Sequence, residues 1–281
     1  MADLTGKVAL VSGAARYRGL GRAMALRLAQ DGADLVVTGR RRPPEAQPEN
    51  ERKMGWTGVA SLATEIEAMG RQALGMEADV TVKEDVEQLV AAAKDRFGRI
   101  DILVNNAGVP SGAGDSPILD MDDELWYDTV DVNLNGVYLV TKAAGRLMRD
   151  RGEGGSIINI SSTARRRGIP DYGAYCATKF GVVCLTQQLA TELARQDIRV
   201  NCIAPGSHAT DMMDGTIGRT AAKYGVTTEQ ITAGIRSASL MGRQGLPSEL
   251  AASVSFLAGE DLSLIHISEP TRLNSTSRMP S

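Results

Sequence analysis

Short apolar runs alternate with segments of helical period along this 281-residue chain, and that alternation constrains the fold more than any other feature. Val8-Ala9-Leu10-Val11, Leu35-Val36-Val37-Thr38, residues 73–76, Ile102-Leu103-Val104, Ser156-Ile157-Ile158-Asn159-Ile160 and Val200-Asn201-Cys202-Ile203 read as strands. Residues 19–30, 61–69, 83–97, 123–148, 175–194 and 248–257 carry apolar side chains three and four apart, as a helix with one buried face does. Leu20, Met24 and Leu28 form one such row, and Val86, Leu89, Val90 and Ala93 another. Strands without a polar face are covered on both sides, and a helix between successive strands makes them parallel. The expected architecture is one three-layer α/β/α domain over residues 1–261, built on a doubly wound parallel sheet.

Three segments break the rhythm. Residues 40–58 form a polar, proline-containing insertion after the second strand, read either as a solvated loop or as a flap over one end of a ligand. Residues 207–245 follow the sixth strand at the carboxyl edge of the sheet, where ligands bind in such folds, and read as a mobile lid. Residues 262–281 have no amphipathic period. Leu262 to Arg272 and Ser277 to Ser281 match, codon by codon, the translated read-through of a transposase-type sequencing adapter. They are expected to be non-native, leaving His266 without a role and a seventh strand missing. Without that strand the sheet keeps an open edge, and lower stability than in an intact relative is expected.

The formal charge of −3 gives no basic surface for nucleic acid. No apolar run is long enough to span a membrane, and no secretory signal is evident, so a cytoplasmic protein is expected. Cys176, Cys184 and Cys202 have neither disulfide nor metal spacing and read as reduced thiols. With His208 and His266 alone, neither a Ser-His-Asp hydrolase nor a multi-histidine metal site is readily built, and no metal is expected.

Acid–base chemistry must then come from other groups. Tyr175 and Lys179 are four apart on a helix and share a face, where an ammonium is expected to favour the phenolate. Ser162 ends the fifth strand, thirteen residues earlier. The first strand–helix turn, Ser12-Gly13-Ala14-Ala15-Arg16-Tyr17-Arg18-Gly19-Leu20-Gly21, offers close backbone approach and a helix N-terminus to a pyrophosphate. It does not fit G-x-G-x-x-G, because Met24 stands at the third glycine position. Asn105-Asn106-Ala107-Gly108 supplies small residues after the fourth strand. In this order the motifs resemble the short-chain dehydrogenase/reductase family over residues 4–261, a Rossmann-type fold.

The resemblance implies a catalytic tetrad of Asn133, Ser162, Tyr175 and Lys179. Tyr175 would exchange the proton, Lys179 would hold the nicotinamide ribose and tune Tyr175, Ser162 would bind the reacting oxygen, and Asn133 would hold a relay water. It also implies cofactor contacts from Gly13, Arg16, Gly19, Leu20 and Gly21, from Asp79 and Val80 at the adenine, from Asn106, Ala107 and Gly108, and from Pro205, Gly206, His208 and Thr210 at the nicotinamide. His208 is expected to act through its main chain. The chain departs from the family in a glycine turn two residues longer than usual, which leaves open whether Arg16, Tyr17 or Arg18 faces the cofactor. The insertion is also longer than usual, and the last strand is replaced.

At the end of the second strand, Gly39 stands where a carboxylate would bind the ribose hydroxyls of NAD(H), and Arg40, Arg41 and Arg42 follow. Guanidinium groups suit a 2′-phosphate, so NADP(H) is favoured and NAD(H) remains possible. The expected reaction is hydride transfer between NADP(H) and a small carbonyl or secondary alcohol, in a homodimer or homotetramer. Arg165, Arg166 and Arg167 suggest either an anionic substrate or a solvated basic turn. Two other functions fit the same residues: a dinucleotide-binding regulator without turnover, and a dehydratase or epimerase of the same fold.

Overall fold

The computed structural model describes residues 2–110, 116–166 and 168–260, the side chains of residues 44, 165 and 166 aside. The tail at 262–281 and the arginine side chains of 165–167 lie outside the described residues. Six strands, β1 (Val8–Val11), β2 (Asp34–Gly39), β3 (Ala73–Glu77), β4 (Ile102–Asn105), β5 (Gly155–Ile160) and β6 (Ile198–Ile203), form one sheet in the order β3-β2-β1-β4-β5-β6. Every pairing is parallel. The helices are α1 (Leu20–Gln30), α2 (Glu49–Lys53), α3 (Val59–Ala68), α4 (Lys83–Phe97), α5 (Asp123–Val130), α6 (Gly136–Arg151), α7 (Gly173–Leu193), α8 (Asp211–Tyr224), α9 (Thr228–Ala238) and α10 (Pro247–Ala258).

Successive side chains of a strand point to opposite faces, and β1 shows the consequence. Ala9 and Val11 enter one core, with Met24 and Leu28 of α1, Leu62 and Ile66 of α3, and Leu250 and Val254 of α10. Val8 and Leu10 enter the other, with Leu89 of α4 and Val140 and Met148 of α6. The strand order reverses direction between β1 and β4, which opens a crevice at their carboxyl ends.

Two expectations change. The single helix expected over 123–148 is instead α5 and α6 joined by a π-helical turn, Asp131–Asn135. Such a turn inserts an extra residue and is common at functional sites. Here it lets buried Asn133 reach the main chain of Val109, while Gly136 sits where an added Cβ would lie 2.7 Å from Val80 Cγ2. The insertion is not simply a solvated loop, because α2 brings Glu51 to 3% exposure and Trp56 to 6%. Residues 207–245 hold α8 and α9, and among the described residues β6 pairs with β5 alone. No described helix is long and apolar enough to cross a membrane.

At the end of the sheet away from the crevice, Asp101 accepts from Val8 N at 2.8 Å, from Arg99 at 2.7 and 2.8 Å, and from Arg151 at 2.6 Å. Burial alone would raise this carboxyl, but these donors outweigh it and hold Asp101 below the usual aspartate range. The stabilisation is therefore present above the unfolded-state value and is lost as pH falls through the lowered one. Asp101→Asn should cost about 2–4 kcal/mol at neutral pH, read as a lower urea midpoint, because it removes the buried carboxylate on which half-buried Arg99 and Arg151 converge.

Candidate active site

The glycine turn after β1 is pressed against the loop after β4. A Cβ on Gly13, whose φ is +67°, would lie 2.6 Å from Ala107 Cα. One on Gly21 would lie 2.5 Å from Gly13 O. Ser12 Oγ accepts from the N–H groups of Asn106 (3.0 Å) and Ala107 (3.1 Å), and Asn106 Nδ2 donates to Ser12 O and Gly13 O at 2.9 and 3.0 Å. Gly19 caps α1 without a side chain, so no side-chain acceptor occupies the N–H groups of that first turn. A helix N-terminus of this kind favours an anion.

The three side chains that follow Ala15 in the turn take different directions. Arg18 pairs with Asp214 at 2.8 Å, and Tyr17 packs edge-on against Trp56 at 5.3 Å. Arg16 lines a cavity of about 200 Å³ beyond the end of β2, together with Arg40, Arg41, Arg42, Glu51 and Trp56. Its Nη1 is buried and has no hydrogen-bond partner among the described residues. Burial lowers the Arg16 pKa, against the opposing fields of Glu51 and Asp211. An unpartnered guanidinium donor fits a phosphate oxygen. Asp79 binds Thr81 N and Oγ1 at 2.9 and 2.8 Å and lies 3.6 Å from Arg40. The buried Val80 side chain packs on Gly136, so a contact to adenine is left to the Val80 main chain or to Asp79.

The catalytic candidates converge at the ends of β4 and β5. Lys179 is 5% exposed, and its Nζ donates to Ile160 O at 3.1 Å, lies 5.6 Å from the Tyr175 ring centroid and stands 3.7 Å from where a Cβ on Gly108 would be. Ser162 is hydrogen-bonded to the Tyr175 phenol. Burial holds that phenol above the ordinary tyrosine range, opposed by the Ser162 bond. Burial also lowers Lys179 to about 8. This corrects the expectation of a lowered Tyr175 pKa: burial sets the net direction, and it is upward. Both groups are desolvated, and the ammonium is held by a carbonyl rather than by the phenolic oxygen. The Tyr175 phenol is thus protonated at neutral pH. Asn133 Oδ1 accepts from Val109 N at 2.8 Å and its Nδ2 donates to Val109 O at 3.0 Å. Its side chain thereby positions the loop after β4.

Spacing alone does not make this site. Tyr138 and Lys142 on α6 have the same four-residue separation and a 3.0 Å hydrogen bond, yet Tyr138 is 47% exposed. What distinguishes Tyr175 is its place beside the sheet edge. Under it runs a buried polar chain that no sequence motif signalled: Asn105 donates to Thr141 and Asn159 (both 2.8 Å), and Asn159 donates to Thr186 (2.9 Å).

After β6, Pro205 O accepts from Thr163 N at 3.0 Å, and His208 bridges to Gly245 through its main chain. Its ring lies 3.0 Å from Gly206 O. The Thr210 hydroxyl caps α8, and Lys223 of α8 pairs with Asp171 at 2.7 Å. Helix α8 is thereby tied to both the glycine turn, through Arg18, and the approach to α7.

A family model described as enoyl-(acyl carrier protein) reductase matches residues 13–269. A 3-oxoacyl-[acyl-carrier-protein] reductase of Synechocystis is 39% identical, covering 92% of this chain and 91% of its own. The crystal structure of an actinorhodin polyketide ketoreductase variant with NADPH superposes with a TM-score of 0.82 at 36% identity, covering 94% of this chain and 95% of its own. That of carveol dehydrogenase from Mycobacterium avium in complex with NAD gives 0.83 at 31% identity, with the same two coverages.

Proposed function

The chain belongs to the short-chain dehydrogenase/reductase family, as an oxidoreductase of carbonyl and alcohol groups that uses a nicotinamide dinucleotide, and on that premise we propose that it reduces a ketone with NADPH, Tyr175 donating the proton. The observation that carries this reading is the cluster of Ser162, Tyr175 and buried Lys179 at the carboxyl edge of the sheet. Arg16, Arg40 and Arg41 would hold the 2′-phosphate, and Gly13, Gly19 and Gly21 the pyrophosphate. Lys179, Gly108 and the 205–210 segment would hold the nicotinamide end.

The bound cofactor supplies a hydride to the carbonyl carbon. Ser162 and Tyr175 hydrogen-bond the carbonyl oxygen and polarise it. As negative charge develops there, the Tyr175 O–H bond breaks and a new O–H bond forms on substrate, giving the alcohol and a transient phenolate. The Lys179 ammonium stabilises that phenolate, and a solvent proton restores the phenol. In the oxidative direction the same groups act in reverse.

The first test is cofactor binding by calorimetry, followed by NADPH-oxidation assays over 3-oxo thioesters, cyclic ketones and hydroxyketones. Replacing Arg40 and Arg41 together by Ala should weaken NADPH binding about 30-fold while changing NADH binding less than about threefold, since charge-assisted contacts to the 2′-phosphate are removed. Equal effects on both cofactors would end the NADP(H) assignment. Exposed Tyr127, Tyr138 and Phe180 on α5, α6 and α7 support a homodimer through that face, to be read by sedimentation.

A further inference from the structure

The cavity beyond β2 holds a carboxylate that no residue at the end of β2 supplies. Glu51 comes from α2, inside the insertion, and is 3% exposed. It lines the same cavity as Arg16, Arg40, Arg41 and Arg42. Its Oε1 accepts from Tyr17 N at 2.9 Å, one residue beyond Arg16. Trp56 Nε1 donates to Ala15 O at 2.7 Å, one residue before it. The long insertion therefore grips the long glycine turn on both sides of Arg16, and the two departures from the usual pattern fit each other. The grip also places a negative charge where Arg16 feels it.

We propose that Glu51 is a specificity-determining residue, whose carboxylate offsets Arg16 in the ribose cavity and so reduces the preference for a 2′-phosphate over a 2′-hydroxyl. The inference rests on the reading of this cavity as the adenosine-ribose site of NADP(H) or NAD(H). A carboxylate opposes a phosphate dianion and can accept from a ribose hydroxyl, the role an acidic residue at the end of β2 plays in NAD-binding folds. Here the same chemistry arrives from a different element. Burial raises the Glu51 pKa, consistent with a carboxylate in a confined cavity and not on a solvated face. The arrangement gives a site in which arginines attract NADPH and one buried carboxylate tempers that attraction, so both cofactors are used.

The test is calorimetric binding of NADPH and NADH to the full chain and to Glu51→Gln, which keeps an acceptor for Tyr17 N and removes the charge. NADPH should bind about tenfold tighter, with NADH unchanged or weaker. Gln47 lines the same cavity, and Gln47→Glu should do the opposite, weakening NADPH about tenfold with little effect on NADH. Glu51→Gln binding both cofactors as the parent does, or losing both together, would overturn the proposal and leave Glu51 only holding the turn. If Glu51→Gln fails to fold, an unchanged NADPH-to-NADH ratio in Gln47→Glu overturns it. Failure of the underlying reading looks different: neither Glu51→Gln nor the Arg40/Arg41 replacement would alter the ratio.

Discussion

Tyr175→Phe should reduce kcat for ketone reduction by about 10³-fold or more while NADPH still binds. Removal of a general acid costs about 10²–10⁴ in rate. The phenol is hydrogen-bonded to Ser162, and burial keeps it protonated at neutral pH. Ser162→Ala should fall between the two, because it removes a hydrogen bond to the reacting oxygen but no proton. Tyr138→Phe is the matched control. It deletes the hydroxyl of the other Tyr-x-x-x-Lys pair, which stands in solvent on α6, and should leave kcat within about twofold. A parent protein that binds NADPH tightly yet oxidises it with no carbonyl would favour the regulator. Product formation without net cofactor change would favour a dehydratase or epimerase.

The sheet was legible in the sequence because each strand is apolar on both faces and each helix is amphipathic. Strands β1 to β6 lie where the apolar runs stand, extended by no more than two residues at an end. The π-helical turn was not legible. Residues 123–148 keep a helical period on both sides of it, and the cause is a contact 24 residues away, between Asn133 and Val109. Tyr175, Lys179 and Ser162 were legible from type and spacing, but their electrostatics were not. The helical i,i+4 rule puts phenol and ammonium on one face without saying that both are desolvated or that Ile160 O holds the lysine.

The insertion shows the same limit more sharply. Its composition is polar, and polar segments are usually solvated. Glu51 and Trp56 are buried because the glycine turn offers an unpaired N–H at Tyr17 and a carbonyl at Ala15, and backbone groups in a buried turn must be paired. Neither partner can be inferred from the insertion alone. The arginines after β2 were visible in the sequence as a basic cluster, and they line a cavity, but the buried carboxylate among them comes from a helix about ten residues further on, where no motif looks for it.

Lys179→Met should abolish turnover and raise the melting temperature together. The ammonium is buried and lowered from 10.5 to about 8, which corresponds to a cost of about 3 kcal/mol for keeping it charged at neutral pH. Methionine fills the same space without that cost, but it leaves Ile160 O without its donor, a loss of about 1 kcal/mol. A net gain of about 1–2 kcal/mol shifts the melting temperature of a domain this size by about 2–6 °C. The pH dependence separates this from a packing effect. Between about 8 and 10.5 the folded parent has released a proton that the unfolded chain still holds, so its stability rises with pH across that window. In Lys179→Met that rise should be missing. Activity moves the other way: with the ammonium needed to stabilise the phenolate, kcat/KM of the parent should fall as pH rises through about 8. A melting temperature lowered in Lys179→Met at pH 7 would mean that the ammonium stabilises the fold, and that the site was not built at the expense of stability.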